Sequence, residues 1–174
     1  SSNKAEVIEM LKGVREEYIN NAPTDKTGRP RVLLTGCPVG LGSEKVVRLI
    51  EEAGGSMVAM ENCSGYKTLE LQTDQSQDDP IVALASKYLQ IPCSCMTPNP
   101  YRMELLEQMM ENFKVDAVID LTWQACHTYN IEAYEVGRLV KSKNIPFLHL
   151  ESDYSNSDLE SLKVRIEALL EMVE

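Results

Sequence analysis

Apolar positions along the chain fall into short runs that alternate with longer stripes of helical spacing. Four short apolar runs predict buried strands at residues 31–35, 56–61, 115–120 and 146–150. Apolar residues three and four positions apart predict helices from Ser43 to Gly54 and at residues 80–89, 101–113, 131–142 and 157–173. Strand and helix therefore alternate along most of the chain.

This alternation decides the fold class. Strands separated by helices form βαβ units, whose right-handed crossovers produce a parallel sheet. We predict an α/β, three-layer domain, Rossmann-like or flavodoxin-like, over residues 31–174, with a four-stranded parallel sheet in the order 2-1-3-4. Residues 1–30 hold an amphipathic helix at 5–21 and a polar linker, which either pack back on this domain or join it to a preceding one.

Composition excludes several classes of function. The 174 residues carry 17 Lys+Arg against 27 Asp+Glu, a net charge of −10, whereas sequence-independent binding of nucleic acid needs clustered cations. No apolar run reaches the roughly 20 residues that a membrane span requires. Five cysteines, an odd number without a secretory segment, are typical of reduced thiols, so we expect a cytoplasmic protein.

Candidate chemistry lies in the loops that follow the strands, because open parallel sheets bind ligands beyond the carboxyl ends of their strands. Cys37 follows the first strand, Cys63 the second and Cys126 the third. Gln124 and His127 lie beside Cys126, just before a predicted helix. A cysteine at a helix N-terminus has a stabilised thiolate that suits iron binding or nucleophilic attack, although a lone Cys-His pair is more often part of the core.

The remaining candidates each keep two interpretations. Cys93 and Cys95 flank a serine in a proline-rich, extended segment and are either buried small side chains or a redox pair. His149, between two leucines of the fourth strand, is more often a core or edge residue than a ligand. Four carboxylates at strand ends would support acid–base chemistry if they cluster, and otherwise lie in loops or cap helices: Glu61, Asp120, Glu151 and Asp153.

The loop after the first strand, GCPVGLG at residues 36–42, is rich in glycine. Backbone N–H groups of such a loop bind phosphate when a helix follows. However, the pattern is not GxGxxG, Pro38 lacks an N–H, and the Lys-Ser/Thr pair of a P-loop is missing. We therefore favour a tight turn, or a loop that faces the site, over a nucleotide or flavin site.

Five stretches of the chain together resemble one known family. They are TGCPVG, ENCSGYKT, YLQIPCSCMTPN, QACHTYNIE and ESDYS. Their order and spacing are similar to those of the 2-hydroxyacyl-CoA dehydratase family, which includes the D-component of 2-hydroxyglutaryl-CoA dehydratase. Within the family, the chain is most similar to the double-cubane cluster proteins. The resemblance runs from about Arg31 to the end of the chain.

The resemblance implies an oxygen-sensitive iron–sulfur enzyme, either a dehydratase or an ATP-dependent reductase. It implies a [4Fe–4S] or double-cubane cluster with Cys126 as a ligand, while Gln124, His127, Cys37 and Cys63 face the cluster or surround it. The implied partners are an ATP-hydrolysing [4Fe–4S] activator that supplies a low-potential electron, a paired subunit, and an acyl-CoA or other small substrate.

In that family two further cluster cysteines come from an earlier domain, and they have no counterpart before Arg31. We therefore interpret the chain as the C-terminal domain of a longer protein that upstream domains complete. By itself it is expected to be inactive and to hold little iron or sulfide. The alternative is a non-enzymatic thiol-redox or small-ligand-binding domain of flavodoxin-like fold.

Overall fold

Four parallel strands form the centre of the molecule. The computed structural model describes residues 3–21, 28–63 and 66–173. Its strands are β1 (Arg31–Gly36), β2 (Ser56–Glu61), β3 (Ala117–Trp123) and β4 (Phe147–Ser152). They lie in the order β2-β1-β3-β4 with every neighbouring pair parallel, so the predicted fold class and strand order are confirmed.

Helices connect the strands and cover both faces of the sheet. Within the described residues they are α1 (Lys4–Asn21), α2 (Lys45–Glu52), α3 (Tyr66–Leu69), α4 (Pro80–Tyr88), α5 (Pro100–Asn112), α6 (His127–Ser142) and α7 (Leu159–Glu171). The single turn α3 was not predicted. The predicted N-cap, Ser43, is wrong, because its hydroxyl bonds to the backbone of Gly40 and α2 begins only at Lys45.

Each face of the sheet packs against one pair of helices. The core around α2 and α7 contains completely buried side chains such as Val32, Ile50, Ile119 and Ile166. The core around α5 and α6 contains Leu33, Leu106, Met109 and Val136. Because β1 and β3 are buried on both faces, their sequences form continuous apolar runs instead of alternating.

Two strands continue past their predicted ends, because polar side chains near those ends form a hydrogen bond with each other. β3 ends at Trp123 and β4 at Ser152, whereas the apolar runs stop at residues 120 and 150. The Thr122 hydroxyl of β3 pairs with Nε2 of His149 in β4 at 3.0 Å. His149 is half-buried, and burial lowers the pKa of its imidazole. This environment supports the interpretation of His149 as a structural residue.

The helix α1 differs from the long helices of the domain because it has no buried residues. None of its residues is buried, and its apolar stripe is open, with Leu11 57% and Tyr18 67% exposed. Whether this helix packs on the domain or joins it to a preceding one stays a prediction. Most of the predicted linker, residues 22–27, lies outside the described residues. No helix in the described ranges is long and apolar enough to cross a membrane.

Candidate functional site

The loops after β1 and β3 meet where the strand order reverses. Gly36 ends β1 beside Leu121 of β3 with a φ of 107°, and a Cβ there would lie 2.2 Å from the Leu121 carbonyl oxygen. The N–H of Cys37 donates to the same oxygen at 2.7 Å. Only glycine permits this approach, so Gly36 serves the turn and carries Cys37 across the end of β3.

Cys126 lies at the N-terminus of α6, which begins at His127, four residues before its predicted start. The preceding Ala125 has a φ of 69°, a strained conformation of a kind that is common at functional sites. Burial works to raise the pKa of the Cys126 thiol, but the N–H of Tyr129 and the side chain of Thr128 outweigh it and lower the pKa. This environment favours the thiolate that metal binding requires.

Cys37 lies directly beside Cys126 but has the opposite environment. Burial raises the pKa of the Cys37 thiol to about 12, so it stays protonated at neutral pH. Its sulfur accepts a hydrogen bond from the Trp123 N–H at 3.3 Å, and its side chain is within hydrogen-bonding reach of Cys126. Cys37 can therefore donate a proton to the Cys126 sulfur, but it is poorly suited to be a thiolate ligand itself.

Three more thiols lie on the same edge of the sheet. The Cys63 sulfur pairs with the Tyr129 hydroxyl at 3.1 Å. The pKa of Cys95 is raised, first by a hydrogen bond with Cys93 and further by the proximity of Cys63 and Cys126. Cys63, Cys93, Cys95 and Cys126 are called the thiol rim below. The structure thus brings together four thiols, of which sequence reasoning assigned only Cys63 and Cys126 to the site.

The segment that contains Cys93 and Cys95 is turned, so the prediction of an extended chain is wrong. The N–H of Met96 donates to the Cys93 carbonyl at 3.0 Å, which closes a turn around the two cysteines. The side-chain amide of Asn99 donates to the same carbonyl at 2.8 Å, which adds a second hydrogen bond to the turn. Residues 93–99 therefore form a turn that keeps Cys93 and Cys95 within hydrogen-bonding reach of each other.

A buried charge network of Glu61, Lys67, Arg102, Asp120 and Glu132 lies beneath the rim. Glu61, the last residue of β2, is completely buried and pairs with the Lys67 ammonium at 2.5 Å and the Arg102 guanidinium at 3.1 Å. Burial opposes ionisation, but Arg102 and Lys67 hold the pKa of the Glu61 carboxyl below its usual value. Arg102 also pairs with Glu132 of α6. Each cation thus has a carboxylate partner.

Asp120 of β3 is the unpaired member of the network. It is completely buried, and neither carboxyl oxygen has a hydrogen-bond partner among the described residues. Burial raises the pKa of Asp120 to about 7. The charge of Arg102 lowers this pKa, whereas the charges of Glu61 and Glu132 raise it further. Three carboxyl groups face two cations, so the network is neutral when Asp120 carries a proton.

Sequence reasoning missed most of this network, although one signal was present. Arg102 stands in register with the apolar stripe of α5, one turn before Leu105 and Leu106, and it is completely buried. A cation on the core-facing stripe of a helix requires buried carboxylate partners, which would have pointed to Glu61. Nothing in the local sequence marks Lys67 or Glu132 as the other members.

The remaining predicted site residues are His127, Gln124 and the four carboxylates at strand ends. His127 is exposed at the first position of α6. Gln124 lines a separate polar cleft of about 220 Å³ with Glu151 and Asp153 at the ends of β3 and β4. The four carboxylates therefore do not form one cluster, since Glu61 and Asp120 belong to the charge network and the other two to this cleft.

Two larger clefts flank the segment that contains Cys93 and Cys95. One of about 320 Å³ lies toward α3 and α5 and includes Lys67, Pro92 and Tyr101. Another, of about 370 Å³, lies between α5 and α6 and is lined largely by apolar side chains such as Met96, Pro98 and Ile131. Both volumes are within the range of small-molecule sites.

The thiol rim differs from a single-ion site. In the described part of the chain, no group of three His, Cys, Asp or Glu side chains is arranged to hold one metal ion. An iron–sulfur cubane has its iron atoms at separate corners, so its thiolate ligands need not converge on a single point. Several thiols spread along one edge, with one thiolate stabilised, are chemically suited to such a cluster.

The fold and the rim define the class of protein: a Rossmann-like α/β domain that presents thiols at the strand-order reversal of an open parallel sheet. A family model described as 2-hydroxyglutaryl-CoA dehydratase, D-component, matches residues 1–173, and the chain belongs to this family. This confirms, at the level of the family, the resemblance carried by the five sequence stretches.

One curated relative of the chain is considerably longer than the chain itself. The chain is 46% identical over 169 residues to the "Putative dehydratase subunit YjiM" of Escherichia coli (strain K12). The alignment covers 97% of this chain and 43% of the relative. The chain therefore spans less than half the length of this relative.

Proposed function

We propose that the chain is a domain of a 2-hydroxyacyl-CoA dehydratase, or of a related ATP-dependent reductase, and that its Cys126 binds an iron–sulfur cluster. The observation that carries this proposal is the placement of four thiols along one edge of the sheet, with Cys126 at the N-terminus of α6, where its pKa is lowered. When bound, a [4Fe–4S] or double-cubane cluster supplies one-electron chemistry at low potential. Membership in the dehydratase family supports the same chemistry.

The residues around Cys126 have distinct roles in this proposal. Cys37 keeps its proton and hydrogen-bonds to the Cys126 sulfur, which stabilises added negative charge and tunes the potential of a bound cluster. Cys63, whose sulfur pairs with the Tyr129 hydroxyl, would be a neighbour of the bound cluster. Gln124 and His127 are exposed on either side of Cys126, where they would contact a partner domain or the bound cluster.

The partners follow from the same proposal. Upstream domains supply further cluster cysteines, a paired subunit completes the assembly, and an ATP-dependent [4Fe–4S] activator delivers electrons. The substrate is an acyl-CoA or another small molecule, and the cleft of about 370 Å³ beside Pro98 is the candidate site for its acyl part. Such oxygen-sensitive chemistry belongs in the reducing cytoplasm.

The decisive experiment compares two cysteine variants in the full-length protein under strict anaerobiosis. Cys126→Ser is expected to lose most of the bound iron and the cluster's EPR signal, because serine supplies no thiolate. Cys37→Ala serves as the control, because Cys37 lies beside Cys126. This variant is expected to keep its iron, with a shifted reduction potential of the bound cluster. Full iron content in Cys126→Ser would refute the assignment of Cys126.

Anaerobic reconstitution of the 174-residue chain alone tests the role of the upstream cysteines. If two ligands come from another domain, the chain should bind little iron and sulfide. A stoichiometric cluster would instead show that Cys63, Cys93 and Cys95 complete the ligand set with Cys126. That result would retain the iron–sulfur function but contradict the upstream ligands.

A thiol-redox domain remains the second candidate because Cys93 and Cys95 lie close enough to hydrogen-bond. The raised pKa of Cys95 disfavours it, since rapid thiol–disulfide exchange needs a thiolate at neutral pH. Equilibration of the metal-free protein in glutathione buffers tests this candidate. A Cys93–Cys95 disulfide that forms reversibly near cytoplasmic potentials, in a protein that binds no iron anaerobically, would favour it.

A further inference from the structure

Asn99 breaks a local rule of helix capping. It is the N-cap residue of α5 and precedes Pro100, yet its side chain makes no cap hydrogen bond. Asp79 stands in the same position before Pro80 of α4, and there the carboxylate accepts from the Ile81 N–H at 2.8 Å. Asparagine is among the best N-cap residues, so Asn99 gives up a favourable local contact for another role.

That role is visible in its two hydrogen bonds. The Asn99 amide donates to the carbonyl of Cys93 at 2.8 Å and to Oε1 of Glu132 at 2.8 Å. The other carboxylate oxygen of Glu132 accepts from Arg102. One amide thus ties the turn that contains the Cys93 and Cys95 thiols to the helix α6, which begins directly after Cys126.

Arg102 extends this chain of contacts to the other thiol-bearing loops. Its Nη2 donates to Glu61 and to Thr35, each at 3.1 Å. Glu61 lies two residues before Cys63, and Thr35 lies two residues before Cys37. The guanidinium also lies 5.0 Å from the ring centre of Tyr129, whose hydroxyl pairs with the Cys63 sulfur. A planar fork with five donors can fix several directions at once, which an apolar side chain cannot do.

We infer that the Asn99–Glu132–Arg102 chain positions the Cys93–Cys95 turn and thereby sets the distances from its thiols to those of Cys63 and Cys126. These three are positioning residues, since none of them contributes a thiol. The biological use of this spacing rests on the proposed iron–sulfur function. The spacing itself belongs to the metal-free protein and can be measured there.

The test uses a short bis-maleimide at limiting concentration on the reduced, metal-free protein, followed by peptide mass spectrometry. Crosslinks within the turn, Cys93 to Cys95, are compared with crosslinks from Cys95 to Cys63 or Cys126. In Asn99→Ala the ratio of between-segment to within-segment crosslinks should fall about fivefold, the factor to which about 1 kcal/mol of lost hydrogen bonding corresponds. Asn99→Gln, which keeps the amide donor, should recover part of the ratio.

Asn130→Ala is the matched control, because Asn130 is an exposed asparagine of α6 whose side-chain amide donates to Glu151 at 3.5 Å. It should leave the crosslink ratio unchanged. Glu132→Ala should also lower the ratio, and the double variant should lower it by less than the product of the two single effects, because both single changes break the Asn99–Glu132 hydrogen bond. If Glu132→Ala fails to fold, Asn99→Ala, Asn99→Gln and Asn130→Ala decide the matter.

Three results would overturn the inference. The first is a crosslink ratio in Asn99→Ala equal to that in Asn130→Ala. The second is a double variant in which the effects of Asn99→Ala and Glu132→Ala multiply. The third is an absence of between-segment crosslinks in the unaltered protein. Failure of the proposed function shows separately, as an unaltered full-length protein that takes up no iron. The crosslink ratios keep their meaning in that case.

Discussion

Asp120→Asn tests the electrostatics of the buried network directly. Burial raises the pKa of Asp120 from 3.8 to about 7, and each unit of pKa corresponds to about 1.4 kcal/mol, so ionised Asp120 costs the folded state about 4 kcal/mol. Because Asp120 is completely buried, solvent does not screen this cost. Asparagine keeps the shape and cannot ionise, so Asp120→Asn should remove the cost.

The sign of the effect follows from proton linkage. The folded-state pKa of Asp120 lies above the unfolded one, so the folded protein binds more protons between the two values, and stability falls as pH rises toward about 7. The stability of Asp120→Asn relative to the unaltered protein should therefore increase by about 2 to 3 kcal/mol between about pH 5 and pH 8. Shared groups that face Asp120, namely Glu61, Arg102, Glu132 and His149, largely cancel in this difference.

Urea denaturation of the reduced, metal-free protein at several pH values measures the difference. The free energy of unfolding is obtained for both proteins at each pH, and only the pH dependence of their difference is used, since the fixed cost of a buried amide is the same throughout. Infrared spectroscopy gives a second readout, a protonated carboxyl band that Asp120→Asn lacks. A difference that stays constant from pH 5 to pH 8 would refute the neutral-network argument.

Three further predictions concern the loops of the site. Ala125→Gly should stabilise the protein by about 1 kcal/mol in urea denaturation, because the positive φ of 69° strains alanine and not glycine. Gly36→Ala should destabilise it by about 3 kcal/mol or more, or prevent folding, since the new Cβ would meet the Leu121 carbonyl; circular dichroism during thermal unfolding measures this. At mildly alkaline pH, mass spectrometry should find Cys126 alkylated more than about tenfold faster than Cys37, since only Cys126 combines a lowered pKa with partial exposure. Equal rates would contradict the assigned environments.

Hydrophobic periodicity predicted the fold well because burial in a parallel sheet leaves a strong signal. The runs at β1 and β3 are apolar throughout, since both faces of these strands are covered. The ends were less predictable, because Thr122 continues β3 by pairing with His149 across the sheet. The single turn of α3 has too few residues to show a helical period.

The candidate site was predictable as a location and less so as a set of contacts. The rule for strand ends placed Cys37, Cys63 and Cys126 on one edge, and the structure confirms this placement. Gln124 and His127 lie on that edge too, and both are exposed. The turn at Cys93 and Cys95 depends on Asn99, whose role is set by tertiary partners that no local pattern shows.

The protonation of Asp120 also bears on the thiols above it. Buried ion pairs seldom stabilise a protein more than apolar packing would, so the network under the rim calls for an explanation other than stability. One explanation is geometric, because Arg102 fixes loops that apolar contacts would leave free to rotate. The other is electrostatic. The charge of an ionised Asp120 adds to the raised pKa of Cys37, so a negative network would oppose negative charge on the rim. A network with equal numbers of cations and ionised carboxylates leaves the helix N-terminus free to stabilise the Cys126 thiolate, which the proposed cluster requires.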